Sequence, residues 1–457
     1  MMGIIFRSPD ILLLMPVLGC AQLLDLDKYQ PGGTADAGGG GPAPGTVLWA
    51  KLYGDAEAQV PHALAVSDDG AVLFAGALDG RIELGCCEPL TADADPFIAA
   101  VDVDGNGLWG QVFSASNAAS IDSFWPAGAS IWFGGSFDTN VNVAGNTLAG
   151  SDSDAFFGSV VGIDGMVLDA SAMMLADVQL HTRVAVDQYA RVAVAMETVV
   201  AGSTDILVRA FHDNGAVRWE KTFPSPADEE VHAVGVDPNG HVIVAGSVGD
   251  VIDFGCQPHQ ASDIDGFLVK LEYVTGNCIW SLELGGPGVQ RVHGLAIDEA
   301  GDVVVVGEFE GEIRFGSDVE MAEQGSIDAF VARLDQAGKY RWHKTSGGAG
   351  SERGAHAVIT GAGRIAVAGD FNKALGFDDR TVNDDLFDGF VLLLENDGAL
   401  RWSAHLAGGG DQRFMAVAGQ GERVFALAEM SADAKLGGWY LVNQGALPSI
   451  GVAALVE

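Results

Sequence analysis

Basic residues are scarce in this chain of 457 residues. It has 24 lysines and arginines against 62 aspartates and glutamates, which gives a formal net charge of −38. A surface this negative repels nucleic acid and anionic lipid headgroups, because both carry dense negative charge. The composition therefore argues against a nucleic-acid-binding protein. It suits a solvated acidic surface, cations or a basic partner.

Catalytic signature motifs are also missing. The sequence has no Gly-x-Ser-x-Gly nucleophile elbow, no His-Glu-x-x-His zinc motif and no phosphate-binding loop. Carboxylates are so numerous that no single pair of them points to acid–base chemistry. The sequence therefore shows no catalytic constellation.

The apolar run at the N-terminus is too short to span a membrane. It covers residues 11–18 behind Arg7, whereas a spanning helix needs about 20 apolar residues. This pattern predicts an export signal over residues 1–19. Residues 17–20, Val-Leu-Gly-Cys, resemble a bacterial lipobox, and the resemblance implies a mature chain that begins at a lipidated Cys20. An ordinary secretory signal with an incidental cysteine is the alternative.

The predicted localisation is the bacterial cell envelope, with the lipid as the only membrane anchor. Ala21 follows the cysteine where an aspartate would signal inner-membrane retention in enterobacteria, so the outer membrane is favoured. Residues 20–46 would form the lipidated N-terminus and a tether, since KYQPGGTADAGGGGPAPGT (28–46) has no apolar periodicity. Residues 47–457 form the folded part.

Glycine is abundant, with 63 residues, and apolar residues make up 48% of the chain. This composition indicates a packed protein rich in strands and turns. A repeat confirms that organisation, because tryptophans that follow a turn recur about every 60 residues. One copy has Asp169 in the tryptophan place; the six tryptophans are Trp49, Trp109, Trp219, Trp280, Trp342 and Trp402. A fixed period of this size indicates repeated supersecondary units.

Each unit contains four short strand-like runs. In one unit these are HGLAID, VVVVGEF, DAFVARLD and YRWHKTS, with turn signals such as EAGD and QAGK between them. Four antiparallel strands repeated about seven times predict an all-β fold, a seven-bladed β-propeller. An array of β-sandwiches is the alternative, but its units are nearer 100 residues. The predicted blades begin near residues 61, 121, 179, 230, 291, 354 and 412.

The last blade raises the question of how the ring closes. Residues 47–54 look like a fourth strand without its own first three, so we expect them to complete the seventh blade and remove a free edge. The segment WYLVNQ (439–444) is the expected third strand. The tail SIGVAALV (449–456) competes with residues 47–54 for the closing place.

The repeat resembles the SBBP-type bacterial β-propeller repeat, which is frequent in envelope lipoproteins of myxobacteria. The resemblance is carried by WAKLYGDAEAQ, AVSDDGAVLFAGAL, GRIELG, GFLVKLE and DAFVARLD, and it covers about residues 47–444. It implies the fold but no activity. The segment TGNCIWSLEL also looks like hairpins of quinone-dehydrogenase propellers and of the outer-membrane-assembly propeller lipoprotein, which usually have eight blades.

Two series of polar residues recur in register with the repeat. His62, His232, His293 and His356 begin the first strand of four blades, so they would ring one mouth of the channel. A second series begins the third strand; it consists of Asp95, Asp154, Asp205, Asp265, Asp328 and Asp388. We expect hydrogen bonds between the two series to tie neighbouring turns, as in WD-repeat proteins. A metal site at the histidines is the alternative.

The remaining sites are cysteines and one acidic turn. Cys256 and Cys278 flank the third strand of one blade, so an oxidising compartment predicts a disulfide between them. The adjacent Cys86 and Cys87 leave a vicinal disulfide, free thiols and an intermolecular bond open. Residues 102–107, DVDGNG, are typical of a hairpin turn, because the glutamate that an EF-hand loop needs is missing. Calcium at this turn is the only cofactor candidate.

These observations predict a non-catalytic binding or scaffold module whose partner is a protein or a glycan at the envelope. A propeller enzyme, hydrolase or lyase, and a calcium-dependent adhesin are the alternatives. An enzyme would need a polar pocket whose residues differ from their repeat equivalents.

Overall fold

The computed structural model describes residues 42–457 except 174–177, 188, 201, 213–214, 262, 316–319, 323–326, 347–349, 378–379, 382–385, 444 and 446. The predicted signal (1–19), Cys20 and the tether up to residue 41 lie outside the described residues. No helix able to cross a bilayer occurs in the part that the structure describes.

Seven four-stranded antiparallel sheets, numbered here as blades 1 to 7, follow one another along the chain and confirm the predicted propeller. The first strands contact one another around a central channel; they are Gln59–Val66, Ala119–Ala127, Val178–Val186, Glu229–Val236, Gln290–Ile297, Glu352–Ile359 and Gln412–Gln420. The second strands are Ala71–Ile82, Ser130–Val143, Val192–Val200, Val242–Val248, Val303–Phe309, Ile365–Phe371 and Arg423–Met430. The third strands are Leu90–Asp102, Asn146–Val161, Ser203–Phe211, Asp265–Leu271, Asp328–Leu334, Asp388–Leu394 and Ser449–Val456. The outermost, fourth strands are Gly107–Val112, Val167–Met173, Val217–Phe223, Cys278–Leu284, Tyr340–Thr345, Leu400–Gly408 and Val47–Tyr53.

The middle strands carry the core because both of their faces pack against neighbouring blades. Strand Val242–Val248 is buried at all seven positions, as the continuous apolar run predicts. Its Val244 joins a cluster with Val208 of blade 3, while its Ala245 joins a cluster with Val305 of blade 5. Each blade is therefore held from both sides, in the manner of a closed repeat array.

The recurring tryptophan is a link between consecutive blades. Trp219, in the fourth strand of blade 3, donates its indole N–H to the carbonyl of Tyr273 at 2.8 Å, in a turn of blade 4. Its ring packs on Gly276 of the same turn, where an added Cβ would lie 2.7 Å away. The other donors are Trp49, Trp109, Trp280 and Trp342. Blade 2 has Asp169 instead, and the corresponding Gly215 of blade 3 has no atom within 4 Å of an added Cβ.

A bulge interrupts the first strand of every blade. In blade 4, His232 is the extra residue between Val231 and Ala233. Gly246 in the second strand allows this bulge, because a Cβ there would lie 1.9 Å from the carbonyl oxygen of Glu230. This close approach explains the glycine that ends the apolar run of the second strand, as in Val-Ile-Val-Ala-Gly over residues 242–246.

Blade 3 departs from this pattern. Met196 stands in the place of the second-strand glycine, and both His181 and Thr182 are left unpaired between Leu180 and Arg183. His181 has a positive φ of 48°, which is uncommon for a residue with a side chain. The first strand of this blade is therefore shaped differently at the channel.

Both termini close the ring. The tail Ser449–Val456 pairs with Arg423–Met430 as the third strand of blade 7, and Val47–Tyr53 pairs with the tail as the fourth. The two segments do not compete, since they take successive places. The expectation that WYLVNQ supplies the third strand is wrong. Trp439–Leu441 forms a hairpin with Ala434–Leu436 that extends the outer edge of blade 6.

In blades 4, 5 and 6, the connection between the second and third strands contains a further hairpin. These hairpins pair Val251–Asp253 with Pro258–Gln260, Glu312–Arg314 with Glu320–Ala322, and Ala374–Leu375 with Arg380–Thr381. In blades 1 and 2 the second and third strands themselves are longer instead.

Candidate functional site

The central channel contains a cavity of about 220 Å³ that is lined by first-strand residues from all seven blades. Because the first strands share one pairing register, their residues form rows around the channel, counted here from the first residue of each strand and, in blade 3, from its second residue, Gln179. The second row is Val60, Ser120, Leu180, Glu230, Arg291, Arg353 and Arg413. The fourth row, at the bulge, is His62, Asp122, Thr182, His232, His293, Ala355 and Met415. The fifth row is Ala63, Ser123, Arg183, Ala233, Gly294, His356 and Ala416.

All four histidines named from the sequence line this cavity, but they do not form one ring. His62, His232 and His293 stand in the fourth row. His356 stands in the fifth row, because Ala355 is the bulged residue of blade 6. The sequence analysis placed all four histidines at one position of the first strand, whereas in the structure His356 lies one residue further along its strand than the other three.

The fifth row departs from repeat symmetry. Five of its seven members are alanine, serine or glycine, and the exceptions are Arg183 and His356 from blades 3 and 6. Gly294 lets blade 6 approach blade 5, since a Cβ on it would lie 3.2 Å from the Cα of His356. Small neighbours therefore leave room in the channel for two long polar side chains.

The second row is charged on one side only. Blades 5, 6 and 7 each contribute an arginine, whereas blades 1, 2 and 3 contribute valine, serine and leucine. Arg353 donates to Asp370 from Nε at 2.9 Å and from Nη2 at 2.6 Å. Arg291 lies 3.6 Å from Glu308 and 3.5 Å from Glu230. These ion pairs occupy one half of the second row, two rows before the histidines of the fourth row.

Two histidine–carboxylate pairs occupy the same half of the channel. His232 Nε2 lies 3.2 Å from Glu230 Oε2, and His293 Nε2 lies 3.5 Å from Glu308 Oε2. The bond from His232 holds the pKa of Glu230 down at about 2, and burial lowers the pKa of His232. Both effects follow from charge pairing and desolvation.

Apolar side chains fill the channel below the fifth row. Leu64, Val234 and Leu295 line the lower side of the cavity. Trp125 of blade 2 reaches blade 4, where it lies 3.3 Å from a Cβ position on Gly235. The cavity is therefore polar at the fourth and fifth rows and apolar at the residues that follow the fifth row in each strand.

The described contacts of His62, Asp95 and Asp205 differ from the predicted hydrogen bonds between the histidine and aspartate series. Asp95 accepts the backbone N–H of Ala115 at 2.9 Å, and Asp205 accepts that of Ser225 at 3.3 Å. His62 instead bonds the carbonyl of Ile121 through Nδ1 at 3.1 Å. The reason is position: each aspartate aligns across its blade with the first row, three rows from the bulge. The aspartates thus fix the connections between blades.

The first row is a series that sequence reasoning missed. It consists of Gln59, Ala119, Gln179, Glu229, Gln290, Glu352 and Gln412, and all except Ala119 are buried. Gln290 donates from Nε2 to the carbonyls of Glu310 at 3.1 Å and Glu312 at 2.7 Å. The signal was present, because a glutamine or glutamate stands three residues before each of His62, His232 and His293. Gln59 and Gln290 have a structural role, since they donate to backbone carbonyls inside their blades.

The disulfide between Cys256 and Cys278 is confirmed. It joins the outer hairpin of blade 4 to the start of the fourth strand, beside a second cavity of about 720 Å³ that includes His259 and Arg314. Cys86 and Cys87 are exposed free thiols with their sulfurs 2.7 Å apart.

The acidic turn of blade 1 connects the third and fourth strands. Asp102 accepts hydrogen bonds from the backbone N–H groups of Asp104 and Asn106 and from the side chain of Asn106. These contacts are those of a hairpin turn that its own aspartate stabilises. Within the described ranges, no group of three or more histidine, cysteine or acidic side chains is arranged to hold a metal ion.

Comparison with known proteins gives the fold alone. No protein-family model matches the chain, and no curated protein matches it. The chain is similar to the Dos1 propeller, with 10% identity over 90% of this chain and 96% of that one and a TM-score of 0.44. It is also similar to Sqt1 from Chaetomium thermophilum, with 13% identity over 90% and 99% of the two chains and a TM-score of 0.44. Polysaccharide lyase Uly1 is another such structure, with 9% identity over 88% and 91% and a TM-score of 0.45. Similarities this low carry no inference about function.

Proposed function

We propose that this protein is an envelope-anchored binding module that receives a protein or glycan group in the mouth of its channel. One observation carries the proposal. The residues that build the blades repeat around the ring, whereas the residues that face the channel differ from blade to blade. Asymmetry confined to a cavity is typical of a ligand site on a repetitive scaffold.

The cellular setting is part of the proposal. The predicted export signal, the predicted lipid on Cys20 and the resemblance to the SBBP-type repeat support a location at the bacterial envelope, with the outer membrane favoured. The confirmed Cys256–Cys278 disulfide supports an oxidising compartment. Incorporation of an alkyne-palmitate label into the wild type, and its loss in Cys20→Ala, is the expected result; labelling that survives the substitution contradicts the anchor.

Affinity capture from gently solubilised native envelopes tests the binding role. The bait is the tagged wild type beside Arg291→Ser, which replaces a second-row arginine with the residue found in blade 2. Arg341→Ser, on the exposed fourth strand of blade 5, is the matched control. We expect a stoichiometric protein or glycan with the wild type and the control, and less with Arg291→Ser. Equal capture by all three would place the binding surface outside the channel.

An enzyme is the second candidate, because the channel has the polar pocket of non-repeating residues that an enzyme requires. Glu230 lies within hydrogen-bonding distance of His232, and Glu308 lies 3.5 Å from His293; a histidine beside a carboxylate is suited to act as a general base. Hydrolysis or β-elimination of glycans is the matching chemistry. Turnover of an envelope polysaccharide that is lost in His293→Gln would favour this candidate over a binding module.

A further inference from the structure

Arg183 is one of the two long polar side chains that break the repeat symmetry of the fifth row. Its Nε donates to the carbonyl of His232 at 3.0 Å, and its Nη1 donates to the carbonyl of Asp122 at 3.3 Å. These bonds come from both neighbouring blades and fix the guanidinium over the channel. Arg183 has no carboxylate partner among the described residues, unlike Arg353, which has Asp370. Its Nη2 is left free to donate within the cavity.

His356 supplies a second donor in the same row. Its Nδ1 accepts the backbone N–H of Val417 at 3.4 Å, so the proton of the neutral ring is on Nε2. Burial lowers the pKa of His356 to about 4, and the charge of Arg183 acts in the same direction. The ring is therefore neutral near pH 7, and its Nε2–H is available to an acceptor in the cavity.

Asp122, the carboxylate that lines the same cavity, forms no ion pair with Arg183 among the described contacts. Asp122, in the fourth row, accepts the backbone N–H of Thr182 at 3.2 Å and the hydroxyl of Ser120. Its carboxylate is thus used within blades 2 and 3. A guanidinium that two backbone carbonyls hold in place, with its Nη2 free beside a second N–H donor, fits a planar oxyanion.

We propose that the fifth row binds a single carboxylate group between Arg183 and His356. This deepens the proposed function, on which it rests, by naming the chemistry of the ligand. A monoanion is favoured over a phosphate dianion, because Asp122 lines the cavity and Glu230 and Glu308 lie beside two of its histidines, so that these carboxylates repel a second negative charge. The volume of about 220 Å³ lies below the roughly 300–1,000 Å³ of pockets for drug-sized ligands. A short carboxylic acid or one uronic acid residue fits these limits.

Titration calorimetry of the folded propeller with acetate and D-glucuronate at low salt tests the site. D-glucose is the neutral control ligand. Arg183→Met removes the positive charge. Arg183→Lys keeps the positive charge but replaces the planar guanidinium with an ammonium group. We expect the dissociation constant for glucuronate to rise about tenfold or more in Arg183→Met and less in Arg183→Lys. Arg341→Met, an exposed arginine far from the channel, should bind as the wild type does. Thermal melting of each variant without ligand shows that the fold is kept.

The inference is overturned if neither the two free acids nor an oligosaccharide that ends in glucuronate binds the wild type, if glucose binds equally well, or if Arg183→Met binds as tightly as the wild type. Binding of free glucuronate identifies a small acid as a sufficient ligand. Binding only of an oligosaccharide that ends in glucuronate, with the same loss in Arg183→Met, supports the site with a glycan as the source. Envelope capture that is equal for wild type and Arg183→Met leaves the proposed function intact and removes the carboxylate inference.

Discussion

Replacing Glu229 with glutamine should stabilise the protein, and only above mildly acidic pH. Glu229 is the first-row residue of blade 4, and its side chain is fully buried. Neither carboxylate oxygen has a donor in hydrogen-bonding geometry among the described residues. Burial, with added repulsion from Asp205, Asp228 and Asp250, raises the pKa of Glu229 to about 7, although nearby Ser225 opposes the rise.

The sign and size of the effect follow from linkage. The folded protein holds the proton more tightly than the unfolded chain, so stability falls as pH rises from the ordinary value of 4.5 to about 7 and is then constant. At 1.36 kcal/mol per pH unit, the full penalty is about 3 kcal/mol. A glutamine removes the charge but must satisfy its own amide, so we expect a net gain of about 1–2 kcal/mol at pH 8 and little gain at pH 5. Gln59, Gln179, Gln290 and Gln412 show that the row accepts an amide.

Urea unfolding followed by tryptophan fluorescence at several pH values between 5 and 8.5 measures this difference. Glu299→Gln, at an exposed turn of blade 5, controls for the change in net charge. A gain for Glu229→Gln that is the same at pH 5 and pH 8, or a loss at pH 8, would refute the reasoning. Unchanged m-values are needed for the comparison.

Two further predictions concern the links within and between blades. Gly276→Ala should cost about 1–3 kcal/mol more than Gly215→Ala in urea unfolding: both turns have positive φ, but only Gly276 meets the ring of Trp219. Equal losses would show that the tryptophan does not pack as described. Replacing Cys256 and Cys278 together by alanine should lower stability by about 3 kcal/mol, because the bond closes a loop with a separation of 22 residues. Dithiothreitol should lower the melting temperature of the wild type but not that of this variant.

The sequence was sufficient for the ring because its signals are local and repeated. Alternating runs, turn residues and the tryptophan spacing all derive from contacts that every blade makes. The closing blade was harder. Residues 439–441 alternate like a third strand, yet they pair with Ala434–Leu436, because alternation alone does not say which sheet edge a strand joins.

The channel was predicted only in outline. The histidine series pointed to the channel cavity, but His356 was assigned to the wrong row, because it lies one residue further along its strand than the other histidines and Ala355 takes the bulge position. Arg183 was missed since blade 3 lacks the repeat pattern around it, and a residue that departs from a repeat has no copies to reveal it. The identity of such a residue is determined by the cavity that it lines, so the repeat pattern of the blades does not predict it.

The closure of the ring by both termini also sets an order in time. Val47 pairs with Leu455, so the first described strand must wait for a partner about 400 residues later in the chain. Until then, blade 7 has only two of its four strands and blade 1 lacks a neighbour on one side. Contacts at such long sequence separation form slowly, since the loop-closure entropy must be overcome first. The ring can become complete only after residue 456 has been synthesised. Export of the chain in an unfolded state would therefore have the time before ring closure in which to take place.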